Sequence, residues 1–267
     1  MRIKGAITIA RSSFLQASAY RAYFIFTIVS NLVFTGIIYF LWKAIYASDA
    51  DGIINGMSFT QTFIYLSLAG TMTSILHSSL DWYMSFQMKS GSIAQFFTRP
   101  MDFQGLMYAS CAGDILTSMT ILLLPSCVIV YFITGGAIRL GWNILFFLLA
   151  LFLAALLALT FDFIIGLISF YTESVWGIST LKDCVITLLA GGMIPIAFFP
   201  DALKRVVECL PFQAMYNLPL QILINSDYAV KDYLNLLLLQ LFWIVVLLAF
   251  SRIFYTFARR AVTVNGG

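Results

Sequence analysis

Residues 142–171 read WNILFFLLALFLAALLALTFDFIIGLISFY, and Asp162 is the one charge among them. A helix rises ~1.5 Å per residue, so about 20 apolar residues cross a hydrocarbon core of ~30 Å, and this run is long enough. Working outward, comparable segments lie at 22–46, 59–80, 106–134, 178–199 and 233–257. The chain therefore reads as an all-α integral membrane protein with six transmembrane helices. The second segment is the most polar, with Thr60, Thr62, Ser67, Thr71, Thr73, Ser74 and His77. Hydroxyls bond their own helix backbone or a neighbouring helix, so they are tolerated inside a bundle.

Composition agrees. Of 267 residues 61% are hydrophobic and 10% charged, with a mean hydropathy of +0.94, against roughly 45–50% and about 25% in soluble domains. A formal net charge of +3 with scattered Lys and Arg does not suit nucleic acid. Cys111, Cys127, Cys184 and Cys209 form no CxxC pair, so neither a metal nor a disulfide is expected. The first apolar run lacks a nearby small-residue cleavage site and is expected to remain as the first span.

Basic residues set the orientation. With both termini in the cytoplasm, ten of the fifteen Lys and Arg face inward, Lys182 among them, and Lys43, Arg139, Lys204, Arg205 and Lys231 face outward. Ahead of the first span, Ile3, Ile7, Ala10 and Phe14 recur at helical spacing apart from Arg2, Lys4 and Arg11. Residues 1–21 thus read as an interfacial helix, or else as a frayed basic leader.

Two regions break the pattern of simple spans. In the cytoplasmic region, 85–103, residues 89–100 read KSGSIAQFFTRP. Gly91 and Pro100 bracket a short amphipathic helix with Ile93, Phe96 and Phe97 on one face, leaving Lys89 and Arg99 for water or a partner. The outer region, 191–222, carries Gly191, Gly192, Pro195, Pro200, Pro211 and Pro219 at intervals too short to span, which predicts broken, re-entrant half-helices. Its residues Pro195, Phe198, Phe199, Pro211, Phe212 and Met215 are candidates for an outer gate, or for plain packing of the outer helix ends.

No GxxxxGK[ST] loop, HExxH or GxSxG occurs, so no catalytic residue is expected and the chain does not hydrolyse ATP by itself. Asp162 remains as an intramembrane carboxylate, which needs a partner, water or a proton. It is either a substrate or proton site, or it bonds a Thr, Tyr or basic side chain across a helix interface. Asp114 reads as an acid at a helix N-terminus.

The stretch Ser90-Gly91-Ser92-Ile93-Ala94-Gln95-Phe96-Phe97-Thr98-Arg99-Pro100 resembles the coupling-helix region of type-2 ATP-binding-cassette (ABC) exporter permeases. Gly191-Gly192-Met193-Ile194-Pro195, Phe199-Pro200, Leu210-Pro211-Phe212 and Leu218-Pro219-Leu220 resemble that family's outer re-entrant region. The resemblance extends over the whole chain and is nearest to the bacterial six-helix branch encoded with a separate ATPase. It implies a single permease domain over 1–267 in the bacterial plasma membrane. Ser90, Gly91, Ile93, Phe96, Phe97, Arg99 and Pro100 would then contact a soluble ABC ATPase dimer. ATP and Mg would be bound by that partner, with no cofactor in this chain. A second permease subunit, identical or paralogous, would complete the membrane core, and a hydrophobic or amphiphilic substrate would move outward as in multidrug efflux. Two other readings stand beside it: an ion-coupled secondary transporter or channel built on Asp162, and a membrane scaffold.

Overall fold

The structure is a computed structural model describing residues 21–48, 52–97, 102–138, 141–172, 174–225 and 228–260, together with Ser12 and Leu15. The expected interfacial helix, 1–21, lies outside the described residues but for its last position and those two.

Helix α1 spans Arg21–Ala47 and is followed by a hairpin, β1 (Ile53–Ile54) and β2 (Met57–Ser58). Its two-residue loop is Asn55-Gly56, both at positive φ (48° and 81°), the conformation that Asn-Gly adopts in tight hairpins. Helix α2, Phe59–Leu76, starts at a capping box: Ser58 Oγ accepts from Gln61 N–H, and Gln61 accepts from Ser58 N–H at 3.0 Å. Helix α3, Leu80–Lys89, and the single turn α4, Ala94–Phe97, follow.

Then come α5 (Phe103–Ser118), a π-helical segment (Met119–Leu123) and α6 (Leu124–Ile133), which form one long rod. Pro125 has no N–H for the carbonyl of Ile121, and the π segment sits at that defect. Helix α7 is Trp142–Ile168, α8 is Trp176–Leu189 and α9 is Asp201–Glu208. Helices α10 (Asn217–Ile224) and α11 (Val230–Ala258) complete the described chain.

Four helical stretches are long and apolar enough to cross a membrane among the described residues: Ile25–Ala47, Phe103–Ile133, Trp142–Ile168 and Val230–Ala258. They match the first, third, fourth and sixth expected spans. The second expected span ends early, at Leu76, because Ser79 takes a left-handed conformation (φ 51°) and the chain restarts as α3. The fifth is also shorter: α8 has 14 residues, about 21 Å of helix, and Gly191 turns the chain at φ 82°.

Helix α7 is the hub, packed against α3, α10 and α11. Its buried Ala150, Ala154, Ala155 and Ala158 let neighbouring backbones approach closely. Helix α2 is buried on every face from Thr62 to Ala69, which accounts for its hydroxyls. Tyr46 bonds Thr62 at 2.7 Å, and Asn31 of α1 donates to Thr71 at 3.0 Å while accepting from Ser126 of α6 at 3.0 Å. Such bonds tie helices where apolar burial alone drives little association. Phe26, Phe40, Phe132, Leu238, Val245 and Ile253 lie on the exterior, as expected of a lipid-facing surface.

Candidate functional site

The region 85–103, expected to meet a partner, is reached through α3, which packs along α7 and serves as an arm. Residues His77 to Ser79 make the bend between α2 and α3, and Ser78 Oγ donates to Asp162 of α7. At the first turn of α3, Asp81 Oδ1 accepts from its neighbour's backbone, Trp82 N–H, at 2.8 Å. Asp81 Oδ2 accepts from Ser179 Oγ at 2.5 Å and from Lys182 Nζ at 2.9 Å, both on α8. Lys182 also donates to Asp162 and lies 3.1 Å from Asp183 Oδ1. The side chains of Asp81, Lys182 and Asp162 are only 1%, 8% and 7% exposed.

This cluster roots the arm. Asp162 is six residues before the end of α7 and Lys182 six after the start of α8, about 9 Å along each helix. Two carboxylates and one ammonium with added hydroxyl donors are the arrangement in which buried charge is tolerated. Lys182, counted on the inner side in the charge tally, is a buried ion-pair partner. Asp162 lies against a basic side chain and a hydroxyl. Asp81 escaped the sequence reading; its only signal there was an acid inside a mostly apolar stretch.

Further along, Met84 packs on Gly166 of α7, where an added Cβ would stand 2.6 Å from the Met84 sulfur. The arm ends in a tight turn. Ser90 N–H donates to the carbonyl of Phe86 at 3.0 Å, Gly91 has φ 69°, and Ser90 Oγ bonds Ser92 Oγ at 3.0 Å. Ile93 is buried and Phe96 sets its ring edge-on to Tyr83. The apolar face expected to meet a partner thus turns inward at these two positions. Phe86, Lys89, Ser90 and Gly91 are exposed instead. Phe97 ends α4, and Arg99 and Pro100 lie outside the described residues.

Acid and base also meet at the start of α5. Asp102 is its N-cap, accepting from Gly105 N–H at 2.8 Å, and the Arg252 guanidinium of α11 donates to it through both terminal nitrogens. That hydrogen bond, foremost, holds the Asp102 carboxyl below the ordinary carboxylate range. Asp114, expected at a helix start, is instead exposed well inside α5.

Residues 191–222 fold as short pieces: 3₁₀ turns at Ile196–Phe198 and Pro211–Ala214, with α9 and α10 between and after them. Pro195 is buried and Phe198 stacks on Trp42 of α1 at 5.4 Å. Phe199 and Pro211 are half-buried, Phe212 stacks on Phe161 of α7 at 5.5 Å, and Met215 is buried. No ring contact among the described residues joins Phe198 or Phe199 to Phe212; Phe198 and Phe212 stack on two different long helices. Gly191 has no room for a side chain, since a Cβ would fall 2.4 Å from the Tyr65 hydroxyl.

A search of curated proteins finds no match to this chain. The family described as ABC-2 family transporter protein matches residues 32–266, from the middle of α1 past the end of α11. With a largely helical membrane fold around it, the chain belongs to the ABC-2 transporter family and is a permease of that type.

Proposed function

We propose that the chain is the transmembrane subunit of an ABC exporter, moving a hydrophobic or amphiphilic substrate outward on ATP hydrolysis by a separate subunit. The observation that carries this reading is the arm of α3: a helix packed along α7, ending in an exposed turn, and tied at its root to α7 and α8 through Lys182. A push on such an arm reaches two core helices at once. ATP and Mg belong to the partner ATPase dimer, which contacts the region 85–103. Family membership supports such an ATPase partner.

In this reading all six segments cross the bilayer of a bacterial plasma membrane, α2 and α8 being the short ones, with both termini inside. Residues 191–222 are re-entrant and close the outer end, with Pro195, Phe198, Phe199, Pro211, Phe212 and Met215 as the gate. A second permease, identical or paralogous, encloses the path, because one such bundle holds too little volume for a sizeable amphiphile. That Lys182 and Ser78 occupy Asp162 supports a positioning role over an open ion site.

Affinity purification in mild detergent with the neighbouring ATPase, followed by reconstitution in vesicles, tests the proposal. ATP-dependent substrate movement that needs both proteins is expected. Movement driven by an ion gradient without ATP would overturn it.

A further inference from the structure

A polar cavity of about 190 Å³ opens at the end of the bundle opposite the arm. It lies between the Asn55-Gly56 hairpin, the first turns of α2 and helix α10, whereas the arm begins beyond the other end of α2, about 27 Å away along an 18-residue helix. Its polar lining consists of the carboxamides of Asn55, Gln61, Asn217, Gln221 and Asn225 and the Tyr65 hydroxyl; no charged side chain among the described residues lines it.

Asn217 decides the chemistry. It is only 4% exposed, and its carbonyl oxygen is already occupied, accepting from the Tyr65 hydroxyl at 3.3 Å and from Gln221 Nε2 at 3.4 Å. Its two amide hydrogens have no partner among the described residues, and with the oxygen so held they turn to the cavity. The nitrogen is not sealed off from the cavity, so it is free to donate to an occupant there. Gln61 has its oxygen engaged by Ser58 and so also offers donors, while Gln221, donating to Asn217, offers its oxygen. Neutral donors and acceptors interleaved in this way match hydroxyl groups, which do both. Among the described residues an ion would find no counter-charge here and would lose hydration without compensation. Pro195, Ala197 and Ile224 supply apolar wall for carbon–hydrogen faces. The volume equals that of about six waters at ~30 Å³ each, room for one small ring.

We infer that this cavity binds a neutral polyhydroxyl group of the size of a single sugar ring, either free or as the head of a glycolipid. The site is a binding site in its own right, whether or not an ATPase drives the chain. The full chain in phosphatidylcholine nanodiscs is mixed with methyl β-D-glucoside and examined by saturation-transfer NMR. In a second arm, discs containing monoglucosyl-diacylglycerol are examined by native mass spectrometry for retained glycolipid. Asn217→Leu removes the aimed donor. Gln221→Leu and Asn55→Gly, at half-buried and exposed positions, serve as variants that keep the fold if Asn217→Leu does not. Signal from the soluble glucoside, lost in these variants, supports the inference with a free ligand. Retained glycolipid alone, lost in the same variants, supports it with a lipid head. No binding in either arm, or binding equal in wild type and all folded variants, overturns it.

Discussion

Lys182 Nζ stands 2.9 Å from Asp81 Oδ2, across the junction between α8 and the arm, and the same ammonium bonds Asp162 of α7. One cation therefore holds three helices, and removing it leaves two buried carboxylates facing one another. Lys182→Met is expected to destabilise the protein by about 3–5 kcal/mol, the usual cost of breaking a buried pair. The triple variant Lys182→Met, Asp81→Asn, Asp162→Asn should regain most of that loss, because no orphaned charge remains. Thermal unfolding of the detergent-solubilised variants measures both; a triple variant no more stable than the single would disprove the account.

At the tip of the arm, surface and core are expected to part. Phe86→Asp and Ser90→Asp change exposed positions, so the unfolding temperature stays within a degree or two while ATP-coupled transport falls at least tenfold. Ile93→Asp buries a charge and should lower the unfolding temperature before any question of coupling arises. Measuring both quantities on each variant separates a docking surface from an anchor.

Gly191→Ala is expected to be costly in two ways. The residue sits at φ 82°, where a side chain is strained, and its Cβ would overlap the Tyr65 hydroxyl. Displacing Tyr65 also breaks its bond to Asn217. Together these point to a loss of roughly 2–3 kcal/mol. Tyr65→Phe in the same background should recover part of it by clearing the overlap, and a thermal melt of the pair is the check.

The Asp102–Arg252 pair gives a pH dependence. Arg252 holds the Asp102 carboxyl below its unfolded value, so the pair stabilises the fold above about pH 4, the unfolded carboxylate range. That contribution is lost as pH falls through the depressed folded value. Wild type should therefore exceed Asp102→Asn in unfolding temperature by a constant margin from pH 8 to about 5, and the margin should shrink below about pH 4. A margin that grows on acidification would contradict the assignment.

For the outer end, Met215→Cys is expected to resist a bulky external thiol reagent in the resting state, since the position is buried, and Phe199→Cys to react slowly. Both should label faster when ATP turnover of the complex is trapped. Equal labelling in every state would remove the gate.

How much of this was legible in the sequence differs element by element. The run 142–171 and its counterparts had to become helices, because a backbone in hydrocarbon must satisfy its own polar groups and a helix does so locally. Capping at Ser58 and Gln61, the Asn55-Gly56 hairpin and the defect at Pro125 are equally local, and each could be found from neighbours in the chain. Nothing local distinguishes Lys182 as a buried tie from Lys182 as a cytoplasmic charge. Its partner Asp81 lies 101 positions away, and only the packing of α3, α7 and α8 brings them together. The same holds for Ile93, whose apolar side chain suits a partner's groove as well as its own bundle, and for Asn217, made a cavity-facing donor by Tyr65, 152 positions earlier. Sequence alone determined where helices form and that lipid surrounds them. Which polar groups are paired, buried or left waiting for a ligand was decided by tertiary structure, since the cost of a buried charge depends on what other helices bring to it.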